Sequence, residues 1–204
     1  MSLLHALPLL LSLAQTGETG WQKSADTDGV TVYSRERKDN SIRELKAVGV
    51  INAPPQTVWK VLRDYPNYKN TMPYMKSSNV IGVEEGGKIT YLYSIVSAPL
   101  ISQRDYVLKI TDDSDWQDGK GFLKSSWTAA NDKGPPETKN MVRIKVNEGS
   151  WKLEPKDDGK RTLATYYLFT DPGGSVPRWM VNKANGSAVP NVFRALKKHS
   201  GAAK

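Results

Sequence analysis

Apolar and polar positions alternate with a period of two over most of the chain. Val30-Thr31-Val32-Tyr33-Ser34-Arg35, after the turn signal Asp28-Gly29, predicts a strand, and Ile42 to Ile51 predicts a second. Ala53-Pro54-Pro55-Gln56-Thr57 then opens a short helix with Val58, Val61 and Leu62 on one face and Trp59 beside them. It ends near Asp64-Tyr65-Pro66, because proline biases the residue before it away from helix. Tyr65 to Met75 is irregular and aromatic. Further strands are predicted at 79–84, 88–96, 105–112, 120–129, 140–146, 150–155 and 161–170. Glu85-Gly86-Gly87, Gln117-Asp118-Gly119 and Asp157-Asp158-Gly159 mark hairpin turns between them. Asn131 to Thr138 reads as a longer surface loop, and Ser97 to Ser102 as an apolar one.

The period changes after the turn Asp171-Pro172-Gly173-Gly174. From Pro177 to Lys198 the spacing is that of an amphipathic helix. Val176, Trp179 and Met180 make one apolar turn; Val189, Val192, Phe193 and Leu196 continue the stripe, with Lys183, Arg194, Lys197 and Lys198 mostly opposite. Each buried side chain of this kind is worth about 1.5–3 kcal/mol, so the helix must lie against an apolar surface. What precedes it is nearly all strand. The chain is therefore expected to be α+β: an antiparallel meander of about seven to nine strands, a short helix after the second strand, and a long C-terminal helix on the sheet. Pro190 removes the backbone bond to the Gly186 carbonyl, so Gly186 and Pro190 mark either a hinge or a fixed bend.

Residues 1–14 carry no charged side chain and hold an apolar run too short to span a bilayer comfortably. They match the apolar core of a signal peptide, with small residues at Ser12-Leu13-Ala14. The expected organisation is a leader at 1–14, a linker at 15–20, one domain at 21–199 and a disordered tail at 200–204. Export to a periplasmic or extracellular compartment follows if the leader is cleaved; retention of 1–14 as a packing helix leaves the protein cytoplasmic.

Composition narrows the chemistry. Lys and Arg number 29 against 21 Asp and Glu, a formal charge of +8 that suits an anionic partner such as a membrane surface or nucleic acid. The basic residues are scattered rather than striped and no nucleotide-cradling glycine motif occurs, which disfavours nucleic acid. There is no Cys, and the two histidines are His5 and His199, at the extremes of the chain. Thiolate chemistry, a Ser–His–Asp triad and a multi-histidine metal site are thus excluded from the body of the domain. Asp112, Asp113, Asp115 and Asp118 fail the EF-hand spacing, with Gln117 at a ligand position and Lys124 where the bidentate Glu belongs. No catalytic residue, metal or cofactor is expected.

Three segments in order carry a resemblance: Ser102-Gln103-Arg104-Asp105-Tyr106-Val107, Gly149-Ser150-Trp151-Lys152-Leu153-Glu154-Pro155, and Asp171-Pro172-Gly173-Gly174-Ser175-Val176-Pro177-Arg178-Trp179. Val32-Tyr33-Ser34-Arg35 and Val58-Trp59-Lys60-Val61-Leu62-Arg63-Asp64 support it. Over roughly residues 21–198 the chain resembles the START family, the StAR-related lipid-transfer domains. The resemblance implies a helix-grip fold, in which a curved sheet wraps the last helix, and a tunnel between them holding one lipid. The tunnel wall is then expected from Tyr91, Tyr93, Leu108, Ile110 and Trp127 on the central strands. Tyr166 and Leu168 add to it from the last strand, and Trp179, Met180, Val189 and Phe193 from the helix. Arg104 and Asp105 would anchor the loop at the tunnel mouth.

Several eukaryotic members carry a tunnel arginine six positions after the arginine of the Arg-Asp motif. Here that position is Ile110, and the preceding strand, Ile89 to Ile95, holds no acid. A buried charge is costly unless paired, so the expected ligand is neutral and mostly hydrocarbon, sterol-like or acyl, with one hydroxyl that tyrosines could bond. The partners expected are this lipid and a transiently touched membrane surface, an anionic one included, with the protein a monomer. Two alternatives stand: an enzyme similar to polyketide cyclases and aromatases, or a lipid sensor acting through a protein partner. Export predicts that the mature protein recovered from the periplasm or medium begins at Gln15; mass spectrometry showing an intact Met1 would contradict it.

Overall fold

A computed structural model of the chain describes residues 20–98 and 101–201. The predicted leader, most of the linker, and Pro99-Leu100 of the apolar loop lie outside the described residues. Strand β1 (Gln22–Thr27) turns through Asp28-Gly29 into β2 (Val30–Arg35). Both turn residues have positive φ, 55° and 70°, the two-residue turn that matches the twist of paired strands. β3 (Glu44–Ile51) leads to α1 (Pro55–Arg63), which has Pro55 in its first turn, buries Val58 and Leu62, and places Lys60 and Arg63 at its carbonyl end. The irregular aromatic segment includes a single helical turn, α2 (Tyr68–Thr71).

The remaining strands are β4 (Met75–Glu84), β5 (Ile89–Val96), β6 (Arg104–Asp112), β7 (Asp115–Gln117), β8 (Lys120–Ala129), β9 (Val142–Arg143), β10 (Val146–Lys156) and β11 (Arg161–Asp171). The long helix α3 spans Arg178–His199. Neighbouring strands run in the order β1-β2-β3-β11-β10-β8-β6-β5-β4, with β7 on β8 and β9 on β6. All pairs are antiparallel except β6–β9. The predicted strand at 140–146 is this short parallel piece, because Val142 and Arg143 pair with Arg104 and Asp105 while the chain around them wraps the sheet's outer face. β1 had no signal in the sequence: it is an edge strand with nearly every side chain exposed, so no alternation of burial marks it.

The sheet's register assigns each residue to a face. Leu45, Ala47, Val30, Val32, Trp151, Leu153, Tyr166 and Ala164 face α3 and form one core with Val189, Phe193 and Leu196. The Trp151 ring lies 4.4 Å from that of Tyr166 and 5.2 Å from that of Phe193. A Cβ at Gly49 would come within 3.0 Å of the Phe193 ring, so glycine there lets the helix approach the sheet. The backbone of α3 runs close to β1, β2, β3, α1 and α2. Beyond β10 the same sheet face is covered by Tyr65, which packs on Leu92, Leu108 and Ile110, together with Tyr68. Ser200 closes α3 by donating its hydroxyl to the Leu196 carbonyl.

Phe193→Ala removes the ring on which the helix–sheet contact centres. The expected loss is about 3–5 kcal/mol, read as a fall in the urea midpoint at unchanged slope.

Candidate functional site

The inner face of β4, β5, β6, β8, β10 and β11 is built by alternation. Leu92 stands opposite Leu108, Ile110 opposite Trp127, Trp127 opposite Gly149, and Gly149 opposite Leu168. Leu108, Ile110, Trp127, Tyr166 and Leu168 therefore share one face, and Val189 and Phe193 are buried on the helix above its β2–β3 end. Trp127 needs Gly149: a Cβ there would sit 2.3 Å from the indole. Its ring nitrogen donates to Asn147 at 3.2 Å.

Tyr91 and Tyr93 are a correction. They pair with Lys109 and Val107, one residue out of step with Leu92–Leu108, so they occupy the opposite, outer face. Tyr91 donates to Glu84 at 3.3 Å and Tyr93 to Asp105 at 3.1 Å. Tyr91 and Tyr93 are two residues apart, so a strand's period of two puts both on one side, and Leu92 and Ser94 hold the inner positions. Trp179 and Met180 are a second correction, being 65% and 37% exposed. Val181 is the buried residue of this turn, packed against Ile42 and Phe169. At about 100° per residue, Trp179 and Val181 lie about 80° to either side of Val189 and Met180 lies opposite it, so spacing alone does not choose between the first two.

On β5 and β6 the tyrosine that faces inward is Tyr106, opposite Ser94. Burial pushes its phenol up to about 12, an effect Ser94 partly offsets. Yet Tyr106, like Trp127, Leu168 and Tyr68, keeps some accessible surface. Burial also raises Tyr68 well above its ordinary value, while its hydroxyl donates to the Leu62 carbonyl at 2.5 Å. Ser78 and Ser94, register partners on β4 and β5, are both buried; Ser78 Oγ has no hydrogen-bond partner, and Ser94 Oγ has only the Tyr106 hydroxyl near it, outside ordinary hydrogen-bond geometry. An unsatisfied buried polar group costs about 1–3 kcal/mol. The Ser94 signal was legible as a polar break in an inward apolar series; Ser78 lies before the predicted start of its strand and gave none.

Arg104 and Asp105 are adjacent in sequence but face opposite ways. Arg104 points inward, 3% exposed, and donates to the carbonyls of Ser102 and Pro172, tying the loop before β6 to the loop before α3. Burial lowers its pKa, and no carboxylate pairs with it among the described residues. Asp105 faces outward, where Arg143 Nε and Nη2 donate to its two oxygens at 2.9 Å each. Arg143 also donates to the Pro135 carbonyl at 3.0 Å, so the pair fastens the 130–144 segment over β6. Asp112, at the far end of the inner face, is held by Arg63 at 3.0 Å. The helix α3 continues through both Gly186 and Pro190, and Pro190 is buried.

An open antiparallel sheet closed by a C-terminal helix is the helix-grip arrangement, and known proteins share it. A StAR-related lipid transfer protein from Xanthomonas axonopodis superposes with a TM-score of 0.78 at 31% identity, over 89% of this chain and 98% of that one. Human StAR-related lipid transfer protein 5 shares the fold, with a TM-score of 0.80 at 19% identity over 91% of this chain and 88% of that one. Human phosphatidylcholine transfer protein is 28% identical over 86% of this chain and 81% of its own length. The family model described as polyketide cyclase/dehydrase and lipid transport matches residues 51–197. The chain belongs to that family, and within it to the START-domain proteins.

Burial alone would raise the Asp105 carboxyl, but Arg143, then Tyr93, hold it below the usual carboxylate range. This stability is present above the unfolded value, about 3.9, and is lost as pH falls through the lower folded value. Arg143→Met leaves a buried carboxylate unpaired and is expected to cost about 3–5 kcal/mol at pH 7. Burial then raises Asp105, so protonation relieves the variant and its deficit in urea unfolding shrinks toward pH 4. A deficit independent of pH would contradict the pair's role.

Proposed function

We propose that the protein is a lipid carrier that holds one neutral, mostly hydrocarbon molecule between the inner sheet face and α3, and moves it between membranes. Family membership makes lipid handling the first expectation. The observation that carries the reading is the inner face from β5 to β8, where Leu92, Leu108, Ile110 and Trp127 form an apolar wall. Tyr106 and Trp127, deep on that wall yet partly accessible, support a guest there in place of further protein. Each methylene taken from water contributes about 0.8 kcal/mol.

A neutral guest follows from the charges. Ile110 adds none, Arg104 is occupied by two loop carbonyls, and Asp112 by Arg63. The same facts favour carriage over catalysis, since a cyclase needs a free acid or base facing its substrate. Exposed Trp179 and Met180, flanked by Arg178 and Lys183, suit contact with an anionic membrane surface, where each well-placed cation adds about 1 kcal/mol. Opening of α3 about Gly186 and Pro190 would admit the lipid, and the leader would deliver the protein outside the cytoplasm.

Lipid co-purifying with the native protein should be chiefly neutral; recovery of mainly phospholipid would overturn that preference. Transfer of labelled neutral lipid between vesicles should quicken when anionic lipid is present. Trp179→Ala should slow it several-fold at unchanged Tm. Absence of any transfer would overturn the carrier reading.

A further inference from the structure

Ser78 and Ser94 are directly paired across β4 and β5, on the inner face and beside Leu92. Tyr106 stands opposite Ser94 on the next strand, so three hydroxyl-bearing side chains cross three neighbouring strands in one row. The segment from Tyr65 to Thr71 packs close to β4 above them. Strand ladders already use the backbone groups; Ser78 Oγ has no hydrogen-bond partner, and Ser94 Oγ has only the Tyr106 hydroxyl near it, outside ordinary hydrogen-bond geometry. Serine is also a poor choice for a buried strand position, where β-branched residues pack best. Two such residues facing each other are a polar spot beside the apolar surface of Leu92, Leu108 and Ile110.

We propose that Ser78, Ser94 and Tyr106 form the anchor for the single hydroxyl group of the lipid guest. The inference rests on the carrier reading and adds the chemical group recognised. A hydroxyl both donates and accepts, so a guest hydroxyl accepts from one serine and donates to the other, with Tyr106 beside them. The row itself is uncharged. Arg104, the next inward residue along β6, is engaged by the Ser102 and Pro172 carbonyls, and Asp105 lies on the far side of the sheet. A site of neutral hydroxyls takes an alcohol without a charge penalty, whereas a phosphate or carboxylate would have to draw Arg104 away from its two loop carbonyls. A site built for a hydroxyl also rejects its capped analogue strongly, because the protein's own groups are then left unpaired.

The test uses the full chain and two single-hydroxyl probes, dehydroergosterol and dioleoylglycerol, each beside its O-methyl ether, all offered in phosphatidylcholine vesicles. Wild type should take up at least one alcohol tenfold or more in preference to its ether. Ser78→Ala/Ser94→Ala should bind alcohol and ether alike while keeping its Tm and its uptake of the ether. Tyr106→Phe, which removes one hydroxyl and little volume, should narrow the preference in the same direction. If wild type takes up these lipids but treats alcohol and ether alike, or if the double variant keeps the full preference, the anchor is wrong and the carrier reading stands. Uptake of phosphatidylcholine alone would also overturn the anchor. If wild type takes up no lipid, both readings fall.

Discussion

The Phe193 ring, set over Gly49 and against Trp151, fixes where the long helix lies on the sheet, and the rest of the interior follows from that placement. A helix is about 10–12 Å across and 22 residues of it run about 33 Å. Nine strands in sequence, spaced about 4.8 Å apart, span close to 40 Å. One helix held on β2 and β3 therefore covers part of the inner face and leaves the β5–β8 portion to other material. Tyr65 and Tyr68 supply some of it. In the carrier reading, the guest shares this portion with them.

The two faces of the central strands do different work, and alternation keeps them apart. On the outer face, Asp105 with Arg143, and Tyr93 beside them, bind an otherwise irregular segment to β6. On the inner face, Tyr106, Leu108 and Ile110 meet Ser94, Leu92 and Thr90. Arg104 joins Ser102, just ahead of β6, to Pro172, in the loop ahead of α3, through carbonyl oxygens rather than a carboxylate. A cation used this way holds backbone in place through its N–H groups. The chemistry open to the interior is then that of hydroxyls and rings, which suits recognition of an uncharged molecule.

Several features were legible before any coordinates. The hairpin turns at Asp28-Gly29 and Asp157-Gly159, the start of α1 at Pro55 and the span of α3 fall where turn and helix signals put them, because these depend on local backbone preferences. Leu108, Ile110, Trp127 and Tyr166 face inward because the period of their strands was strong enough to follow. Trp179 and Val181 lie about 80° to either side of Val189 on the helix, so only the packing of Ile42 and Phe169 against Val181 decides which is buried.

By itself the sequence determined the fold class, the order of its elements apart from β1, β7 and α2, and the apolar character of one sheet face, since each rests on spacing within a single segment. Only the tertiary structure decided which face of β5 looks inward, which arginine meets Asp105, and that two serines distant in sequence share a buried spot. Those facts depend on the register between strands. Register is set by the pairing of whole segments against one another, and no stretch of chain carries it alone.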